Sequence, residues 1–203
     1  MTCLVITTSG GTLSVALLAG IVLLAEEHRI VGRGHAEALM PAIARVMADR
    51  GPPETILVDT GPGSFTGIRI GIAAARALGL AWGAAVHGVT ATALIAAAVD
   101  PPFAGRLAVL IDAGRGRLYY QALGVDSDDS DILNLDVAAA TALIEVGGAV
   151  AGPGALLLDP AAACRVLGTA APRAAAAAQL PRDRRSGLPL PLYIGGTAPA
   201  VAA

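Results

Sequence analysis

The apolar run from Thr55 to Asp59 passes through Gly61-Pro62-Gly63-Ser64 straight into a long stretch of helical character, Phe65 to Trp82. A strand feeding a glycine-rich turn into a helix N-terminus belongs to α/β proteins, in which helices pack on a sheet. The helical stretch carries Gly67, Gly71, Ala75 and Gly79 at four-residue spacing. Each internal glycine costs about 1 kcal/mol against alanine, so the ridge predicts another helix approaching it closely, either within the chain or on a partner. The turn has the geometry that binds phosphate, with free amides and a helix dipole directed outward. On that reading Gly61, Gly63, Ser64, Thr66 and Gly67 form an anion-binding turn. The alternative is a structural turn with Ser64 as the helix N-cap. It is no Walker A loop, which needs a lysine, and no GxGxxG, because Gly67 comes one residue late. Nor is it a nucleophile elbow, since Pro62 and Thr66 stand where glycines would flank Ser64.

Around this element the chain alternates strands and helices. Thr2 to Thr7 reads as a strand ending in Thr8-Ser9-Gly10-Gly11, and Thr12 to Leu18 with Ile21 to Glu27 as a hairpin. A helix follows in which Ala36, Leu39, Met40, Ile43, Val46 and Met47 recur at three- and four-residue spacing. Pro41 predicts that it starts near Glu37 or bends. Gly51-Pro52-Pro53 ends it. Ala85 to Gly88 is a short strand and Thr90 to Val99 a third helix. A domain boundary is placed at Asp100-Pro101-Pro102, giving units 1–100 and 101–203. The second half predicts strands at Arg106 to Asp112, Arg117 to Gly124 and Val150 to Gly152. It predicts helices at Val137 to Glu145 and Ala161 to Leu167, and irregular, mobile chain from Pro172 to Pro191.

Composition removes several chemistries. Of 203 residues, 14 are basic and all are arginine. Every reaction that needs a lysine amine is therefore excluded, from a pyridoxal Schiff base to a kinase phosphate anchor. A net charge of −2 argues against gripping nucleic acid unaided. Arg182, Arg184 and Arg185 form a small basic cluster that could touch RNA or simply be solvated. His28, His35 and His87 lack metal-ligand spacing, so no metal site is expected. Asp126, Asp128, Asp129 and Asp131 lack the glycine and the bidentate glutamate of a calcium loop. Cys3 reads as an inert thiol in an apolar strand. The first basic residue is Arg29, and Leu13 to Ala25 is too short for the ~20 residues of a membrane helix. A soluble, cytoplasmic protein without a cofactor is expected.

Several segments together resemble the TsaB family, the bacterial partners of the enzyme TsaD in making threonylcarbamoyladenosine in tRNA. Gly61 to Gly79, GPGSFTGIRIGIAAARALG, is similar to the family signature almost residue for residue. GHAEALMPAI from Gly34, HGVTATALIAAA from His87, DAGRGRLYYQ from Asp112 and PLPLYIG near the end resemble further family segments. The resemblance implies a two-lobed fold like the actin, Hsp70 and sugar-kinase group, each lobe a βββαβα unit with the second reduced. It implies a non-catalytic scaffold that binds TsaD and, through it, the ATPase TsaE, meeting tRNA only within the complex. Where TsaD carries a His-x-x-x-His metal motif, Val89 to Ala93 offers no imidazole. Where the family's first strand ends Ile-Asp-Thr, this chain has Ile6-Thr7-Thr8, and Gly114, Arg117 and Gly195 replace an Arg, a Glu and an Arg.

Two rival functions stand beside the scaffold: a homodimeric binding module, and a degenerate ATP-dependent phosphotransferase or peptidase-like enzyme. For a partner surface the candidates are Leu39, Met40, Ile43 and Met47 on one helix. On the next are Gly71, Ile72 and Ala75, with Arg69 and Arg76 as polar rim. Two helices of this chain would pack on two from TsaD or from a second copy.

Overall fold

The computed structural model describes residues 1–100, 105–124 and 129–195. They divide into two compact units: Met1–Ala98 with Ala171–Leu192, and Val99–Ala170 with residues 193–195. No helix among the described residues is long and apolar enough to cross a membrane.

The first unit is a five-stranded sheet ordered β3-β2-β1-β4-β5, from β1 (Thr2–Thr7), β2 (Thr12–Ala19), β3 (Val22–Ile30), β4 (Thr55–Asp59) and β5 (Ala85–Val89). The first three strands form an antiparallel meander, and β4 and β5 add in parallel, Ile6 opposite Val58 and Asp59 opposite Val89. Alternate residues of the central strands point to opposite faces. Leu4, Ile6, Ile56 and Val58 meet α1 (His35–Met47) and α2 (Phe65–Trp82), while Val5, Leu57 and Val89 meet α3 (Ala91–Ala97). Both faces are covered, so β1 and β4 read as almost unbroken apolar runs.

Helix α1 begins at His35, two residues before the expected start. Pro41 sits in its second turn on the exposed side, where water can serve the Glu37 carbonyl in place of the missing amide. His35 is buried, with Nε2 3.3 Å from the Thr12 carbonyl. The third helix is shorter than expected because Thr90 is its N-cap, its hydroxyl accepting from the Ala93 amide.

The second unit repeats the plan. Its sheet runs β10-β9-β6-β7-β8, from β6 (Leu107–Gly114), β7 (Arg117–Leu123), β8 (Leu133–Asp136), β9 (Ala149–Ala151) and β10 (Arg165–Gly168). A meander is again extended by two parallel strands. A short α4 (Val137–Ala142) stands where α1 stands in the first unit, and a 3-10 turn, Pro153–Leu157, replaces α2. This accounts for the reduced second half. Gly152-Pro153-Gly154 follows β9 as Gly61-Pro62-Gly63 follows β4. Gly152 and Gly61 share a left-handed φ, 101° and 99°.

Three expectations for this half are corrected. The segment read as a helix from Ala161 to Leu167 contains strand β10 instead, because Val166 pairs beside Val150 on the open edge of β9. Strand β8 lies where none was expected, and α4 stops at Ala142 rather than Glu145. The acidic stretch lies partly outside the described residues, at 125–128.

A fourth correction concerns the segment from Pro172 to Pro191, expected to be irregular and to belong with the second half. It returns to the first unit. Its 3-10 turn Ala174–Gln179 buries Ala174 and Ala177 against Val5, Ala16 and Leu94, since alanine lets the backbone lie close on the sheet. The Ala174 amide donates to the buried Ser14 hydroxyl at 2.9 Å.

Arg173 anchors the same segment through two hydrogen bonds to Glu26 on β3, at 2.9 and 2.5 Å. Burial works to raise the Glu26 pKa, and the Arg173 guanidinium outweighs it, holding the carboxyl below its ordinary 4.5. A carboxyl lowered on folding stabilises the fold above its unfolded pKa and loses that contribution as the pH falls through the folded value. Arg173→Gln is expected to cost about 1 kcal/mol at pH 7. Urea unfolding of both proteins should show the difference shrinking below the ordinary carboxyl range.

Candidate functional site

The C-terminal ends of β1 and β4 lie side by side, so the Thr8–Gly11 turn and the Gly61–Ser64 turn meet there. In an α/β sheet this is where a ligand would bind. Asp59, the last residue of β4, is fully buried between the two turns. Its Oδ2 accepts from the Thr7 hydroxyl at 2.7 Å and from the Ser9 hydroxyl, and its Oδ1 accepts from the Gly61 amide at 2.8 Å. Burial pushes the Asp59 pKa up, and these three donors oppose the shift by favouring the ionised form.

The turns are joined by further bonds. Ser64 N–H donates to the Ser9 carbonyl at 2.6 Å, and the Thr8 hydroxyl donates to the Gly67 carbonyl at 2.7 Å. Contact this close requires glycine. A Cβ on Gly63 would fall 2.2 Å from the Ser9 oxygen, and one on Gly67 2.0 Å from the Thr8 oxygen.

Of the two readings of the turn, the geometry is that of an N-cap. The Ser64 Oγ accepts from the Gly67 amide at 3.2 Å. The amides of Gly61, Ser64 and Gly67, three of those that would hold an anion, are occupied within the protein. Gly61 and Gly67 are buried, and only Ser64 and Thr66 of the five candidates are exposed.

The expected partner surface is corrected. Leu39, Ile43 and Met47 on α1 and Gly71, Ile72 and Ala75 on α2 are buried in the first unit's own core. The small-residue ridge receives the sheet and not the expected helix: a Cβ on Gly71 would lie 2.5 Å from the Thr8 hydroxyl, and one on Gly79 2.4 Å from Val86. Helical periodicity located this stripe but could not tell which of its neighbours it faced. Met40 and Arg69 are exposed as expected. The Arg69 guanidinium lies 3.7 Å from the centre of the Phe65 ring, and Arg76 donates to the Pro189 carbonyl at 2.9 Å.

The outward side of α2 went unremarked in the sequence because alanines dominate it. It presents Phe65, Ala73, Ala77, Leu80 and Ala81, with Leu80 89% exposed. Also missed was the ring of hydroxyls about Asp59, since Thr7 and Ser9 lie about 50 positions away in sequence. Among the described residues, no three of His, Cys, Asp and Glu gather to hold a metal ion.

A family model described as "TsaD: tRNA N6-adenosine threonylcarbamoyltransferase" matches residues 27–181. The tRNA threonylcarbamoyladenosine biosynthesis protein TsaB of Bacillus subtilis is 34% identical over 123 residues, 59% of this chain and 53% of that protein. A tRNA N6-adenosine threonylcarbamoyltransferase from Anaeromyxobacter dehalogenans is 31% identical over 116 residues, 50% of this chain and 35% of that enzyme. The chain thus spans about half the length of the first of these relatives, or less of the second. Among solved structures, YeaZ from Pseudomonas aeruginosa matches with a TM-score of 0.78 at 24% identity, covering 95% of this chain and 99% of that one. The fold is therefore that of YeaZ, two α/β units as expected from the sequence.

Two substitutions test the packing of this region. Asp59→Ala leaves two hydroxyls and an amide buried without an acceptor and is expected to cost roughly 3 kcal/mol. Gly71→Leu drives a side chain into Thr8 and should cost more than about 2 kcal/mol by overpacking. Equilibrium unfolding in urea measures both, and values near zero would contradict the described contacts.

Proposed function

The chain belongs to the TsaD-like family, in its TsaB/YeaZ branch, and from that membership we propose a non-catalytic partner subunit of a threonylcarbamoyltransferase acting on tRNA. The observation that carries this reading is the closed contact around Asp59. A nucleotide-handling relative needs an accessible carboxylate to orient a metal-bound phosphate. Here the end of β1 offers Thr7, whose hydroxyl is turned to Asp59, and the Asp59 carboxylate is itself enclosed. The lack of any lysine supports the same reading.

The contribution of such a subunit is a surface. The outward faces of α1 and α2 supply one, with Met40 and Ala44 on the first helix and Phe65, Ala73, Ala77 and Leu80 on the second. A helix 18 residues long with an apolar outer side is suited to a helix-to-helix contact. Arg69, held over Phe65, stands at its rim. The partner is the transferase TsaD of the same cytoplasm, and TsaE joins through it. With a net charge of −2, the chain meets tRNA only in the complex.

Co-purification of the chain with the TsaD of its own organism tests the reading. Leu80→Glu, which touches no core residue, is expected to weaken that association roughly tenfold or more while leaving the melting temperature unchanged. Undiminished binding by the folded variant would show that the contact lies elsewhere. Association with a second copy alone, never with TsaD, would replace the partner subunit by a homodimer.

A further inference from the structure

Along the edge strand β5 the return segment lays a second structure beside the first sheet, starting next to Asp59 and reaching toward the opposite end. The Gly88 amide donates to the Gly187 carbonyl at 2.7 Å. A Cβ on Gly88 would fall 2.4 Å from the Leu188 oxygen, so glycine is required for the approach. This contact holds the 3-10 turn Asp183–Arg185 beside His87. Arg185 is fixed in turn: Nε and Nη2 donate to the Leu180 carbonyl at 2.9 and 2.6 Å, and Nη2 to the Ala178 carbonyl at 3.1 Å. Those bonds leave Nη1 unused.

Between this turn and the starts of β1 and β4 lies a hollow of about 320 Å³. Cys3 and Leu57 contribute to its wall, His87 stands on one side, and Arg182 and Arg185 line it from the return segment. Burial pushes the Cys3 thiol up, so it is neutral wall and no nucleophile. Among the described residues, no carboxylate lines the hollow. The nearby Glu54 carboxylate is turned to Thr2, whose hydroxyl donates to it at 2.6 Å.

Two guanidinium groups on one concave surface repel one another until a negative charge enters. Guanidinium forks match carboxylate and phosphate oxygens. The volume is at the lower end of small-molecule sites, which run from about 300 Å³. We infer that this hollow binds a small organic anion, a carboxylate or a phosphate monoester, with its charged group between Arg182 and Arg185 and its body over Cys3 and Leu57. The site is separate from the partner surface and needs nothing from the proposed function.

The test is amide and imidazole NMR of the full chain, titrated with inorganic phosphate in one arm and malonate in the other. Saturable shifts centred on Gly20, Thr55 and His87 are expected in at least one arm, and the arm that saturates first assigns the anion class. Arg182→Ser should weaken that binding roughly tenfold with an unchanged melting temperature. His87→Gln provides a second variant away from the bonds that hold Arg185. Shifts that grow without saturation, shifts centred elsewhere, or binding unaffected by Arg182→Ser would overturn the inference. So would a site that tRNA saturates while neither small anion does.

Discussion

A single carboxylate joins the two turns on which the first unit is built. Asp59 leaves β4 pointing into protein, and the hydroxyls of Thr7 and Ser9 and the amide of Gly61 close around it. A buried charge is tolerated only when its oxygens are served by donors, so the three donors and the carboxylate hold one another in place. Because Ser64 and Gly67 are bonded to the same β1 turn, the position of α2 on the sheet follows from this contact. So does the burial of the ridge through Gly71 and Ala75.

The second unit shows the same plan with less material. Its sheet has the same strand order, and a Gly-Pro-Gly turn again follows the parallel strand beside the central one. Gly154 meets the backbone at Leu110 and Ile111 as Gly63 meets it at Ser9. What is lost is the helix that should follow. With a five-residue 3-10 turn in place of the 18 residues of α2, this unit has no comparable outer helix face among its described residues. The surface expected to meet a partner is therefore assigned to the first unit.

Much of this was legible in the residues. The strands at Thr2–Thr7 and Thr55–Asp59 and the helix Phe65–Trp82 have the bounds their hydrophobic patterns indicated, because Gly and Pro punctuate them sharply. Strand β10 and the return segment were hidden by alanine. Side chains so small carry little periodicity, and short apolar runs read equally as helix or strand. The inward direction of the Gly71 ridge was also beyond reach, since periodicity finds a stripe and not its neighbour. The hollow beneath Arg182 and Arg185 depends on a chain return across the whole sequence, and only the basic cluster itself could have hinted at it.

The partner reading rests on the end of the first sheet being sealed instead of open to a ligand. Hydrogen exchange of the Gly61, Ser64 and Gly67 amides, with and without magnesium and ATP, measures that sealing directly. The account predicts protection comparable to the amides of β1 and β4, unchanged by the nucleotide. Rapid exchange in the free protein that slows when magnesium and ATP are added would contradict it, showing an open turn that closes on phosphate.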